Sequence, residues 1–334
     1  MHLPSPRGPL SAAVVAVLGG RTPAPVARAE VAAAVGRVTE PLADDDLQLA
    51  LAICYELHHA GFDDVDDGWE WDPDLLGLRR ALEHRFETAL LRLCPRPDEP
   101  VPGDRREVAA ALRAEVDGHA GPPLSTYLLR DATLEQYREF AAQRSVYHLR
   151  EADPHTWAIP RLRGRAKAAL VEIQVDEYGG GRPGRMHAEM FAATLRALGL
   201  DDSYGAHWPV ATAETFTQLN LMSLLGLHRR HRGALLGQLA VLEMDSTRPN
   251  RRYANGLRRL GQPAAATAYY DEHVEADAVH EQLAAVDMCG SFVEDEPLLW
   301  PDVLWGARCG LELDARASAR LLARWGVDGE QRCA

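Results

Sequence analysis

The amino-acid sequence predicts an all-α protein, and three observations support this fold class. Most long segments repeat apolar residues at a period of about 3.6, Ala, Leu, Arg and Glu dominate these segments, and strand patterns are rare. The alternation VEIQV, residues 171–175, is the one short strand-like stretch. Because one such stretch does not make a sheet, we assign it to the helix predicted around it.

The helical period defines segments along most of the chain. The predicted helices are residues 46–62, 78–94, 105–119, 133–150, 161–178, 185–200, 214–244, 264–289 and 299–325. Residues 9–20, PLSAAVVAVLGG, have a short apolar run that could mimic a signal peptide. We favour a first amphipathic helix at this position.

Two breaks divide the chain. The stretch CPRPDEPVPGD, residues 94–104, contains four prolines that cannot continue a helix, and GHAGPP, residues 118–123, is a second, softer break. We therefore expect an N-terminal helical region, residues 1–120, and a larger helical domain, residues 121–334.

Composition limits the classes of partner and the compartment. The formal net charge of −13 disfavours nucleic acid and anionic membrane surfaces, since both would be repelled. The five cysteines are scattered without a C-x-x-C pair, which indicates reduced thiols and neither a disulfide framework nor a zinc knuckle. No run of about 18 uncharged apolar residues is present. We expect a cytoplasmic protein.

The strongest functional pattern is H-x-x-x-D-x-x-H in YYDEHVEADAVHEQ, residues 269–282. At 100° per residue, His273, Asp277 and His280 project from one narrow stripe of a helix, at about 0°, 40° and −20°. A solvated helix face and a metal-binding face are both compatible with this spacing.

Other segments supply partners for this stripe. His187 opens a predicted helix on its apolar face, and Glu243 follows Leu236 and Leu239 at helical spacing, so both point inward. Glu177 ends a helix just before the glycine-rich loop that leads to His187. Buried carboxylates are costly unless they are paired or bind a metal. Three imidazoles and three carboxylates form a ligand set suited to iron, and no thiolate takes part.

Other motifs have weaker support. Glu56 and His59 form a Glu-x-x-His pair, the ligand pair that di-iron bundles use twice. A second Glu-x-x-His is missing and this one lies at a helix end, so a structural role is favoured. GGGRPG lies between predicted helices, which is not the strand–loop–helix context of a phosphate loop, and no G-x-S-x-G occurs.

The segments EIQVDEYGGGRPGRMH, LHRRHRGALLGQLAVLEM and YYDEHVEADAVHEQ resemble the haem-oxygenase-like di-iron oxidases and oxygenases, a family of iron-containing redox enzymes. The resemblance covers residues 121–334. It implies that Glu177, His187, Glu243, His273, Asp277 and His280 act as metal ligands and carry catalysis through the metals. It further implies a haem-oxygenase-like bundle of about seven helices without haem, and an extra N-terminal helical region that forms a homodimer.

The same resemblance implies two Fe(II) ions as cofactor, O₂ as co-substrate and an external electron donor. The implied function is oxidation of a small amino acid or amine in the biosynthesis of specialised metabolites, by N-oxygenation, desaturation, ring closure or C–C cleavage. Two alternatives stay open: a fatty-acid oxidative decarboxylase of the same family, and a non-catalytic helical binding protein. Four polar residues near the ligands are candidate substrate or supporting contacts, with packing roles equally open: Gln174, Tyr178, Asn220 and Tyr270.

Overall fold

A computed structural model describes residues 1–327, apart from the side chains of residues 276–279. Throughout that part of the chain the regular secondary structure is helical, and it contains no strand. The all-α prediction is therefore confirmed. The VEIQV stretch lies inside the helix Gly164–Glu177.

The N-terminal region, up to the second break, is built from helices of 10 to 21 residues. Their bounds are α1 Pro9–Leu18, α2 Ala24–Val35, α3 Asp45–Glu56, α4 Pro73–Leu93 and α5 Arg105–Gly118. The proline-rich stretch predicted as a break separates α4 from α5. Asp72 and Asp104 cap the starts of α4 and α5 with side-chain hydrogen bonds to backbone N–H groups.

The rest of the described chain forms the larger helical bundle. Its helices are α6 Leu124–Arg130, α7 Leu134–His148, α8 Asp153–Thr156, α9 Gly164–Glu177, α10 His187–Ala197, α11 Ala213–Leu227, α12 Arg232–Arg259, α13 Ala264–Gln282, α14 Ser291–Asp295 and α15 Trp300–Arg324. A π-helical segment, Leu283–Gly290, continues α13 towards α14.

The helical segment predicted at residues 214–244 is divided in the structure. Helix α11 ends at Leu227, and α12 begins at Arg232 after a short 3₁₀ turn. The cause is tertiary, because His228 lies 2.9 Å from Glu83 and His231 lies 3.2 Å from Glu87, both on α4. These contacts anchor the connecting segment to α4. Helix α12 then runs past the predicted end at residue 244.

Helix α12 is the central element, packed against α13 on one side and α15 on the other. Gly237 of α12 and Gly306 of α15 let the two backbones approach closely, since a Cβ at either position would overlap the facing backbone. This crossing holds α12 rigidly, two turns before Glu243.

One apolar core runs from α1–α4 into α9, α11, α12 and α15, so the N-terminal region packs directly onto the larger bundle. A second apolar cluster lies where α7, α10, α12 and α13 meet, around Phe140, Phe191 and Tyr269. The assignment of residues 1–120 to self-association stays a prediction. Among the described helices, none combines the length and the apolar character needed to cross a lipid bilayer.

Candidate metal centre

The turn between α9 and α10 brings Glu177 and His187 together. Glycines at 179, 180, 181 and 184 all have positive φ values. A side chain at Gly179 would overlap the Arg185 carbonyl, so the tight turn requires glycine there. The result is that His187 Nδ1 lies 2.8 Å from Glu177 Oε2, and both side chains are buried.

Helices α12 and α13 add three more predicted residues. His280 Nδ1 lies 3.3 Å from Glu243 Oε2 and 3.9 Å from Glu177 Oε1. His273 lies two turns earlier on α13, and its ring centroid is 4.3 Å from that of His187. Asp277, the remaining residue of the sequence pattern, lies outside the described residues.

Glu151 joins this centre, and the sequence analysis missed it. It follows the end of α7, and its Oε1 lies 3.8 Å from His273 Nε2. The hydroxyl of Tyr269 donates to both of its carboxylate oxygens, at 2.8 and 2.7 Å. In the sequence, His148 could have pointed to Glu151, because it lies three residues earlier and is 3.0 Å from it in the structure. The pattern Glu-x-x-His places the acid before the histidine, so it does not detect an acid that follows one.

These residues form two groups whose potential ligand atoms lie within 4.8 Å of one another. The groups are Glu151, Glu177, His187 and His273, and Glu177, Glu243 and His280. Glu177 belongs to both, with its two carboxylate oxygens turned towards different histidines. A carboxylate in this position can bridge two cations. Five of the six residues named from the sequence thus lie together, with Glu151 added.

Hydrogen bonds orient two of the histidines. His273 Nδ1 lies 2.8 Å from the carbonyl of Tyr269, one turn earlier on α13, so its proton sits on Nδ1 and Nε2 is free to bind a cation. His280 Nε2 lies 3.0 Å from Asp176, which leaves Nδ1 facing Glu177 and Glu243. A metal-binding imidazole commonly donates its other N–H to a carbonyl or a carboxylate in this way.

The clustered carboxylates shift the pKa values of the neighbouring histidines. Burial raises the pKa of Glu177 to about 7, although His187 beside it acts in the opposite direction. Burial would lower the pKa values of His187 and His280, but Glu177 raises the first to about 9 and Glu243 raises the second to about 10. Burial lowers the pKa of His273 to about 4. Glu177 and the imidazoles of His187 and His280 therefore retain protons more strongly than usual.

The ligand atoms fit a metal better than they fit one another. Glu177 Oε2, His187 Nδ1 and His280 Nδ1 are buried, yet within the described chain none has a partner with hydrogen-bond geometry. Buried polar atoms are normally hydrogen-bonded, so unsatisfied ones in two groups that share Glu177 call for an occupant. Imidazole nitrogen and carboxylate oxygen suit iron.

A cavity of about 460 Å³ opens onto this centre. Glu151, Glu177, Glu243 and His273 form one end of its wall, and the wall continues along α7, α11, α12 and α15. Apolar wall residues include Leu221, Met222, Leu239, Val241 and Leu311. A volume of this size suits a small organic molecule.

The four polar residues named from the sequence have different surroundings. Asn220 donates to the backbone and side chain of Gln48 on α3, so it ties the N-terminal region to the bundle. Gln174 accepts from Thr156, and Tyr178 donates to Asp153, in one network beside the cavity. Tyr270 is 2% exposed and lines the cavity directly.

The pair Glu56 and His59 is not part of the centre. Glu56 Oε2 lies 2.7 Å from the guanidinium of Arg150, and its Oε1 accepts from Tyr204 at 2.8 Å. These partners satisfy the buried carboxylate. The structural role favoured from the sequence agrees with this arrangement.

Fold and site together define a helical protein with a buried nitrogen- and oxygen-rich centre next to a cavity. The sequence pattern of the family described as iron-containing redox enzymes matches residues 138–315, just over half of the chain. The protein belongs to this family of iron-containing redox enzymes. All the residues of the two groups lie within the matched range.

One curated relative is a nitrosourea synthase from Streptomyces achromogenes subsp. streptozoticus. It is 26% identical over 223 residues, which are 64% of this chain and 47% of the relative. The chain therefore spans about half the length of the curated relative it matches.

Proposed function

We propose that this protein is a non-haem di-iron oxygenase or oxidase that uses O₂ to oxidise a small amino acid or amine in specialised-metabolite biosynthesis. The observation that carries the proposal is the pair of buried ligand groups that share Glu177. A single structural metal would not need a carboxylate whose two oxygens face two separate sets of imidazoles.

Each group has the composition of an iron site. Glu151, Glu177, His187 and His273 would hold one ion, and Glu177, Glu243 and His280 the other. Asp277 is a further candidate ligand from the sequence pattern. When bound, paired Fe(II) ions supply the O₂ activation and the oxidising power of the reaction.

The surrounding side chains orient the centre and control protons. Tyr269 holds both oxygens of Glu151, and burial together with Glu151 raises its pKa well above the usual value, so it stays a hydrogen-bond donor. Tyr147 lines the same cavity, and burial again raises its pKa, followed by the effect of Glu151. Apolar residues of α11 and α12 limit water at the reacting end.

The cavity wall supports a small polar substrate. It contains the arginine and aspartate pair of Arg144 and Asp314, together with Gln218. An amino acid or amine offers charges that these groups can bind. The name of the relative, a nitrosourea synthase, states a nitrogen-containing product, which points to nitrogen-containing substrates in this family.

A fatty-acid oxidative decarboxylase is the second candidate, because Leu221 and Met222 from the apolar segment of α11 line the cavity. The charged pair in the same wall disfavours it, since an alkyl chain would desolvate these groups and offer them no further hydrogen bonds. A non-catalytic binding protein is the third candidate, and it gives no reason for unsatisfied ligand atoms in two adjoining groups.

Anaerobic loading with Fe(II), followed by metal analysis, tests the proposal. We expect about two irons per chain and no haem absorption. Oxygen uptake by the loaded protein is then measured with a panel of free amino acids and amines and with medium-chain fatty acids. Acceleration by fatty acids alone would establish the second candidate, and a chain that binds no iron would leave the third.

We also propose that residues 1–120 mediate a homodimer and take no part in the chemistry. Support comes from the buried partners of Glu56, which leave this region's Glu-x-x-His pair without a ligand role. Light scattering of the full chain at micromolar concentration tests the first part, and a monomer mass would contradict it. Unchanged iron content in a Glu56 or His59 variant tests the second.

A further inference from the structure

The proline-rich stretch between α4 and α5 runs along one face of α15. Trp305 donates from Nε1 to the carbonyl of Cys94 at 2.9 Å. Arg96 forms an ion pair with Asp302, and its guanidinium lies 4.9 Å from the centroid of the Trp305 ring. Asp302, Trp305 and Cys309 are spaced by three and four residues on α15, so they share the face that the stretch covers.

This arrangement brings two cysteines into contact. Cys94 is 8% exposed and Cys309 is 0% exposed, and their thiols form a hydrogen bond with each other. Cys309 lies within α15, whereas Cys94 directly follows the end of α4 and has an extended backbone. Its side chain is therefore free of the constraints of a helical turn. The contact joins the N-terminal region to the last helix of the bundle.

The other two described cysteines have different surroundings. Cys289 donates from its thiol to the carbonyl of Leu236 at 3.4 Å, and Cys54 has Arg79 and Glu83 as its charged neighbours. Burial raises the pKa of Cys54 to about 12 and the pKa of Cys289 well above its usual value. Both are therefore held as protonated thiols, which are poor nucleophiles.

The two thiols in contact have unequal acidity. Their hydrogen bond lowers the pKa of Cys94 and, together with burial, raises the pKa of Cys309 well above its usual value. Cys309 is therefore the donor, and Cys94 is the sulfur that more readily becomes a thiolate. The thiolate is the form of cysteine that reacts with oxidants.

We propose that Cys94 and Cys309 are a site of reversible disulfide formation, with hydrogen peroxide as the oxidant. The Cys94 thiolate attacks peroxide and breaks the O–O bond, which gives a sulfenic acid and hydroxide. The Cys309 sulfur then attacks the sulfenic sulfur, the S–O bond breaks, and water leaves with the Cys309 proton. Hydroxide takes up the proton that the Cys94 thiol released. Two thiols are thus oxidised, one peroxide is reduced to two waters, and a dithiol reductant reverses the change.

The disulfide would link the end of α4 covalently to α15. Gly310, Leu311 and Asp314 follow Cys309 on α15 and line the cavity, so the cross-link would hold the helix directly beside the cavity wall. A cross-link that closes a long loop stabilises a protein mainly by restricting the unfolded chain. This inference goes beyond the proposed function and does not depend on bound iron.

Packing alone is the competing explanation, because a buried free cysteine also behaves as a small apolar residue. Under that explanation no cross-link forms, and peroxide affects the pair no more than it affects Cys54 and Cys289. These two buried cysteines are therefore matched controls within the same chain.

The experiment uses the full-length chain with a chelator present, so that bound iron does not catalyse oxidation. The parent protein carries Cys333→Ser, since Cys333 lies outside the described residues. It is treated with a few equivalents of hydrogen peroxide, unfolded in N-ethylmaleimide and digested for mass spectrometry. Cys94→Ser, Cys309→Ala, Cys54→Ala and Cys289→Ala are treated in parallel, and melting temperatures are measured with and without dithiothreitol.

We expect a linked pair of peptides that contain Cys94 and Cys309, and a melting temperature raised by about 5 °C that dithiothreitol restores. The link should persist in Cys54→Ala and Cys289→Ala and be absent from Cys94→Ser and Cys309→Ala. Should the last two variants not fold, the linked peptides of the parent decide alone. Full alkylation of all four cysteines in the treated parent, or a sulfinic acid at Cys94 without linked peptides, would overturn the proposal.

Discussion

Two buried glutamates of this chain, Glu56 and Glu177, have opposite surroundings. Glu56 is 0% exposed and has Arg150 at 2.7 Å and the Tyr204 hydroxyl at 2.8 Å. Glu177 is 8% exposed, and its Oε2 lies within 2.8 Å of His187 without the angles of a hydrogen bond. Both follow the rule that a buried carboxylate needs a partner, but only Glu56 has partners with hydrogen-bond geometry at both of its oxygens.

The difference shows how a metal centre is recognised from the protein atoms alone. Burial alone does not distinguish the two sites, and neither does the presence of a nearby histidine. The distinguishing feature is several unsatisfied ligand atoms gathered in two adjoining groups, namely Glu177 Oε2, His187 Nδ1 and His280 Nδ1. Comparing variants of the two sites tests this criterion.

The largest effect is expected for Glu177→Gln. The amide keeps the size of the side chain but removes the negative charge shared by both groups, so we expect loss of most bound iron and of O₂-dependent activity. Iron content after anaerobic loading is the measurement, with far-ultraviolet circular dichroism to show that the bundle remains folded. Two irons retained by a folded Glu177→Gln protein would end the assignment of the shared ligand.

A large effect of a different kind is expected for Glu56→Gln. Removing one partner of a buried ion pair leaves Arg150 as an uncompensated charge, so the free energy of unfolding should fall by about 3–5 kcal/mol. Iron content of the folded protein should not change, since Glu56 binds no metal in this interpretation. Urea unfolding of the metal-free protein measures the first quantity. A stable Glu56→Gln protein with less iron would reverse the roles of the two sites.

A smaller effect is expected for Asp176→Asn. Asp176 accepts from His280 Nε2 at 3.0 Å and so keeps Nδ1 directed at Glu177 and Glu243. Changing such an outer partner commonly weakens metal binding about 10–100-fold. Glu172→Gln, an exposed change one turn earlier on α9, is the matched control. Equal iron affinities for the two variants would show that Asp176 is only a surface residue.

Much of this comparison was predictable from the sequence. His273 and His280 share a stripe, and Glu243 follows the apolar period of α12, so periodicity alone places all three inside. The all-α class followed from the same signal. The role of Glu56 was also anticipated, because a lone Glu-x-x-His at a helix end lacks the second copy that a di-iron bundle needs.

The remaining features depend on tertiary structure. Glu151 lies beyond the end of α7, outside any helical period, and only folding brings it to His273. Asn220 was a candidate substrate contact, but it binds Gln48 of α3, a residue 172 positions away in the chain. The break between α11 and α12 coincides with contacts of His228 and His231 to α4, which no local pattern reveals. Long-range contacts of this kind are not encoded in local spacing.

The three described histidines of the centre differ in charge before metal binding. Glu177 and Glu243 raise the pKa values of His187 and His280 to about 9 and about 10 against the effect of burial. His273, which is buried and donates Nδ1–H to the Tyr269 carbonyl, has a pKa lowered to about 4. At pH 7.5 the first two imidazoles therefore carry protons that a metal must displace, and the third carries none to lose.

The smallest expected effect is the release of about two protons when Mn²⁺, a redox-stable substitute for Fe(II), binds at pH 7.5. The sign follows from the raised pKa values, because the stabilisation of the metal-free fold by protonated His187 and His280 is full below their unfolded pKa of 6.5 and is lost as the pH rises through about 9 and about 10. Metal affinity should accordingly rise with pH up to these values and level off above them. Calorimetry in two buffers of different ionisation enthalpy counts the protons, and Glu56→Gln should release the same number. Release of no proton would mean that these imidazoles are already neutral, and that Glu177 and Glu243 do not control their charge.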